Sequence, residues 1–172
     1  MMNLKQWSWG LVAAASLFLF STATASAANT GSATATCGAD VVISYSPTIL
    51  FPPNHKLVPI SISAVDTDED EDTFTVTVTS ITSSQVEGPG EGCVQPTSKQ
   101  GPDFTGVGSS ANGSDPSTQA VLTGVSVRAE RCAAEGARVY DIQITCTETE
   151  PGVPGGVFTT DLFVTVPKSE GH

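Results

Sequence analysis

An all-β fold, an antiparallel sandwich of short strands, is what this sequence predicts, and three observations predict it. Val, Thr, Ile and Ser dominate the chain beyond residue 27, with Gly and Pro as punctuation, a composition that suits pleated, half-buried surfaces and tight turns. No segment keeps an apolar 3.6-residue period for three turns, so no amphipathic helix is expected. Alternation of apolar and polar residues, by contrast, recurs along the chain, and it gives each strand one apolar and one wet face.

In chain order, the first element stands outside that fold. Lys5, an apolar run from Leu11 to Phe20 and small residues closing on Ala25-Ser26-Ala27 predict a secretory signal peptide over residues 1–27, cut after Ala27. The run is too short to cross a bilayer, which takes about 20 residues, and no second one follows. Residues 28–172 are then expected to form a single soluble domain, secreted to the exterior or to a periplasm. The full chain carries a net charge of −11, one unit more negative once Lys5 is removed. Such a surface repels nucleic acid and anionic membrane and favours solubility or multivalent cations.

A first strand is expected near residues 41–45. In the next, Val58, Ile60, Ile62 and Ala64 alternate with Pro59, Ser61 and Ser63; in the third, Phe74, Val76 and Val78 alternate with Thr73, Thr75, Thr77 and Thr79. Val125, Val127 and Ala129 share a face opposite Ser126, Arg128 and Glu130, while Tyr140, Ile142, Ile144 and Cys146 face away from Asp141, Gln143 and Thr145. Leu162, Val164 and Val166 mark the last strand. Residues 66–72 and 131–137 are hairpin-length connections, and residues 148–156, with Pro151, Pro154 and a Gly pair, form a longer turn. Between about residues 82 and 119 lies a Gly-, Ser- and Pro-rich loop too long for a plain connection. It is expected to hold one or two short irregular strands, and a local function would sit there or on another loop.

Cys37, Cys93, Cys132 and Cys146 are an even set in an oxidising compartment, which predicts two disulfides. Zinc would want clustered ligands, and these are spread along the chain. If consecutive strands run up and down, Cys37 and Cys132 fall at one end and Cys93 and Cys146 at the other, so the predicted pairs are Cys37–Cys132 and Cys93–Cys146.

One cluster has the chemistry of a metal site. Asp66, Asp68, Asp70 and Asp72 alternate with Thr67, Glu69 and Glu71, and hard cations such as calcium take six to eight oxygens. The pattern is not an EF-hand, because the sixth place is Glu71 and the twelfth Thr77. Two readings stand: a calcium-holding turn, or a solvated acidic one.

The segment Leu50-Phe51-Pro52-Pro53-Asn54-His55-Lys56-Leu57-Val58-Pro59, then Val127-Arg128-Ala129-Glu130-Arg131 with Gly136-Ala137-Arg138-Val139-Tyr140, and finally Val164-Thr165-Val166-Pro167-Lys168-Ser169-Glu170-Gly171 form three ordered motifs. They resemble the L-W-P-P-N-H-K-x-V-P opening, the R-A-E-R…G-R-V-Y hairpin and the V-T-V-P-H-D-Q-G end of a bacterial extracellular β-sandwich module. The resemblance implies an immunoglobulin-like fold and brings no established chemistry. Phe51 stands where that module has Trp, and residues 148–156 replace its D-A-S-G-N turn.

Read physically, these motifs are structural. Pro52-Pro53 enforces extended backbone suited to a crossing between sheets. His55, alone apart from the terminal His172, is expected to be a hydrogen-bonding strut. Arg128, Arg131 and Arg138 are expected to pair within the molecule, with Glu130 and Glu135 among them. No Gly-x-Ser-x-Gly elbow is present, since the stretch Gly108-Ser109-Ser110-Ala111-Asn112 fails its last place. The chain is therefore expected to be no enzyme but a non-catalytic secreted or cell-surface protein for adhesion, matrix or protein interaction. Its expected partner is an extracellular protein or surface polymer, and its sole candidate cofactor is calcium. The alternative is a small secreted enzyme or inhibitor acting through the 82–119 loop.

Overall fold

The computed structural model describes residues 29–68, 72–85, 102–114, 118–132, 135–149 and 155–168. The expected signal peptide therefore lies outside the described residues, as do Asp70, Cys93 and much of the long loop. Among the described residues eleven strands pair antiparallel: β1 (Ala33–Cys37), β2 (Val41–Ser46), β3 (Leu57–Pro59), β4 (Ser61–Asp66), β5 (Thr73–Ser83), β6 (Phe104–Thr105), β7 (Ser110–Ser114), β8 (Ala120–Leu122), β9 (Ser126–Arg128), β10 (Arg138–Thr149) and β11 (Val157–Val166). They form a four-stranded sheet β1-β2-β4-β8, a second four-stranded sheet β11-β10-β5-β7, and a small sheet β3-β9-β6. Among the described residues there is no helix.

The alternation read from the sequence sets the burial. Phe74, Val76 and Val78 of β5, Tyr140, Ile142 and Ile144 of β10, Ile62 and Ala64 of β4, and Leu162, Val164 and Val166 of β11 join one buried cluster with Val41, Ile43 and Leu50. In β5 the phase changes midway. Ile144 pairs with Val78 but Gln143 with Ser80, so Thr79 is an extra residue that turns Ile81, 5% exposed, back towards the core. Bulges reset the two-residue period in this way.

The expected strand at residues 58–64 divides at Ile60, whose amide donates to Val125 O at 3.0 Å; β3 belongs to the small sheet and β4 to the first. Two further strands carry weak sequence signals. β1 is an Ala/Thr run joined to β2 by a tight turn in which Gly38 has φ 81. β7 has the sequence SANGS, poor in strand formers. Gly113 is required there, since a Cβ would meet the Phe74 ring at 2.1 Å. The long loop does hold two short strands, β6 and β7, as expected.

β7 also explains why the predicted disulfide pairs are corrected. It runs antiparallel to β5, an additional pass that reverses the direction of every later strand. β8 thus runs antiparallel to β4, and β10 descends beside β5, carrying Cys146 to the end where β1 finishes. Cys37 pairs with Cys146, with Cα atoms 6.1 Å apart and a sequence separation of 109. This bond fastens an edge strand of the first sheet to an inner strand of the second. Cys132 is disulfide-bonded as well.

Candidate functional site

The motif residues converge at the end where β2, β4, β5 and β10 meet the small sheet. After β2 the chain turns through Pro52 and Pro53, and His55 takes a left-handed backbone conformation, φ 60. The amides of Asn54 and His55 both donate to Ala129 O, at 2.8 and 3.0 Å, while Ala129 N donates to Lys56 O at 2.9 Å. His55 Nδ1 lies 3.1 Å from Glu130 Oε2, the strut expected of it.

Beneath this clamp is a buried ionic hub. Arg128, 4% exposed, donates from Nε to Asp103 Oδ1 at 3.2 Å, from one terminal nitrogen to His55 O at 2.7 Å and from the other to Pro102 O at 2.7 Å. Arg138 pairs with the second oxygen of Asp103, donates from Nε to Ser83 Oγ at 2.7 Å, and places its guanidinium carbon 4.7 Å from the centre of the Tyr140 ring. Tyr140 donates its hydroxyl to Arg128 O at 2.9 Å, and burial pushes that hydroxyl well above its ordinary range of titration. Gln85, also buried, accepts from Cys132 N at 2.7 Å and donates to Gly136 O and Ala137 O.

Two of the three arginines, Arg128 and Arg138, form ion pairs within the molecule, and their partner is Asp103. Glu130 faces His55, and Arg131 donates to Lys168 O at 3.1 Å. Asp103 and Gln85 come from the flanks of the low-complexity loop, where neighbouring residues give no sign of a buried role. Chemically the hub offers donors that are already occupied, which is the property of a fastener.

The acidic turn lies at the opposite end. Asp66 ends β4, Asp68 and Asp72 flank the stretch containing Asp70, and Glu148 on β10 and Asp40 in the β1–β2 turn complete the group. Burial, then the charges of Asp66, Asp40, Asp72 and Asp68, raises the Glu148 carboxyl above its ordinary range. Burial likewise raises Asp66, reinforced by Asp68 and Asp40 and opposed by amide donors from Asp68 and Thr67. Glu148 Oε1 is buried with no hydrogen-bond partner among the described residues, although no three carboxylates there converge as metal ligands.

Comparison with family models, with curated proteins and with solved structures finds no match.

Proposed function

We propose that the chain is a secreted or cell-surface immunoglobulin-like β-sandwich module that acts without catalysis, by binding another extracellular macromolecule. The observation that carries this reading is the ionic hub. His55, Arg128, Glu130, Arg138 and Tyr140, the residue types from which an active site is most often built, are engaged with one another, with Asp103 and with backbone carbonyls. No serine or cysteine hydrogen-bonds to His55 among the described residues, so a nucleophile, base and orienter do not assemble around it.

The immunoglobulin-like reading is supported by two four-stranded antiparallel sheets that contribute to one core and by a disulfide between them. Tyr140, near the start of β10, reaches back to the backbone of Arg128 in the manner of a tyrosine corner. With Cys37 and Cys146 joined, the remaining cysteine, Cys93, is the partner we assign to Cys132; non-reducing digestion and mass spectrometry should yield that linked peptide. Capture from the native cell exterior with the tagged mature chain tests the binding role. A specific partner that competes with untagged chain is expected, and turnover of an added substrate in place of binding would overturn it.

Calcium at the acidic end is a second reading, favoured by one observation: Glu148 Oε1 is buried and unpartnered beside four other carboxylates. An oxygen-seeking cation would satisfy it, with Asp66, Asp68, Asp70 and Asp72 as the residues to hold it.

A further inference from the structure

The outer edge of β11, over its first half, combines three features. The first is backbone. Thr165 N donates to Thr48 O and Thr165 O accepts from Leu50 N, so the backbone groups of Thr165 point away from β10. By the two-residue period the same holds for Phe163, Asp161, Thr159 and Val157. Phe163 N donates to Tyr45 Oη at 3.3 Å, but the outward groups of Asp161, Thr159 and Val157 have no backbone partner among the described residues.

The second is exposed apolar surface at either end of the solvent face, with Thr159 and Asp161 between. Phe163 is 50% exposed and Val157 67% exposed on the outward face. The third is uncompensated charge. Asp141 lies directly opposite Phe163, and Gln143 opposite Asp161. Because the outward-pointing backbone of Phe163 and Asp161 makes these non-hydrogen-bonded pairs, their side chains stand close together. Gln143 Nε2 donates to Asp161 Oδ1 at 3.4 Å, whereas Asp141 Oδ1 is buried with no hydrogen-bond partner among the described residues. Burial, and after it the charge of Asp161, raises the Asp141 carboxyl above its ordinary range. The ion pairs present among the described residues use Asp103 and Glu130 instead.

We propose that this edge accepts an extended segment of a partner protein by strand addition, with a Lys or Arg of that segment opposite Asp161 and its side chain lying along Phe163 towards Asp141. The proposal rests on the binding-module reading above and names the chemistry of the partner. Strand addition draws its affinity from main-chain hydrogen bonds and its specificity from alternate side chains. Here specificity is electrostatic: a chain of net charge −11 attracts a basic segment. A second copy paired about Asp161 would set carboxylate against carboxylate, which disfavours self-association.

The test uses the mature chain and a short capped peptide alternating valine and threonine around one central lysine. Amide resonances of β11 and β10 should shift on titration, and a proline at the peptide's centre should abolish the shifts. Asp161→Lys, an exposed change whose folding is checked by melting temperature, should weaken the lysine peptide about tenfold or more and bind the glutamate counterpart instead. No shift at millimolar peptide, or binding indifferent to Asp161→Lys, overturns the proposal. Capture of a partner from the cell exterior that survives Asp161→Lys would sink this edge as the site while leaving the binding-module reading intact.

Discussion

Asp103 holds two buried guanidinium groups, one on each carboxylate oxygen. Removing one member of a buried ion pair leaves uncompensated charge in a poorly solvated place, so Asp103→Ala should lower stability by about 3–5 kcal/mol, measured as a shift in the urea midpoint with the slope unchanged. Glu148 gives a prediction of opposite character. Its carboxyl is raised above the ordinary value of 4.5, so the folded state holds its proton more tightly than the unfolded chain. The stability this supplies is fully present below pH 4.5 and is lost as pH rises through the higher folded value. Glu148→Gln, permanently neutral, should flatten that decline and make the protein more stable than the parent at neutral pH, a result that paired urea titrations at acid and neutral pH would show. At this scale the sequence disclosed His55, because a lone histidine beside two prolines has few chemical partners within reach. Asp103 was hidden, because burial of an aspartate depends on arginines 25 and 35 positions away.

Among elements, the long alternating strands were legible, since Thr on one side and Val or Ile on the other leave no choice of face. β7 was not. Its strand character comes from pairing with β5, where the Phe74 ring occupies the space above Gly113, and a glycine next to asparagine signals a turn when read locally. Gly113→Ala should therefore push the ring aside and cost about 1–3 kcal/mol, with hydrogen exchange accelerated along β7 and the neighbouring part of β5. The turn carrying Asp66, Asp68, Asp70 and Asp72 makes its own prediction. A cation bound only by the folded state raises the melting temperature by mass action, so millimolar calcium should raise it and the double change Asp68→Asn, Asp70→Asn should remove the rise. An unchanged melting curve for the parent would leave a solvated acidic turn.

For the molecule as a whole, fold class followed from periodicity, but the path of the chain did not. One short strand, expected within the long loop but not counted as a pass of the sandwich, inverted the direction of the later strands and with it the cysteine partners. The Cys37–Cys146 bond closes a span of 109 positions, so Cys146→Ala with Cys37→Ala should cost about 2–5 kcal/mol, mainly by releasing the unfolded chain; thermal unfolding under non-reducing conditions checks it.

That bond also decides how the protein responds to being pulled. On the proposed role, anchored at a cell surface and gripped by a partner, the backbone would bear tension, and a covalent tie between Cys37 and Cys146 removes the 109 positions between them from the length that can pay out. Straightened, that span would add roughly 360–390 Å. Under load the oxidised chain should yield only the segments outside the tie, including most of β1 and all of β11. Under reducing conditions the same pull should release the whole contour, a difference that single-molecule stretching would read directly as extension.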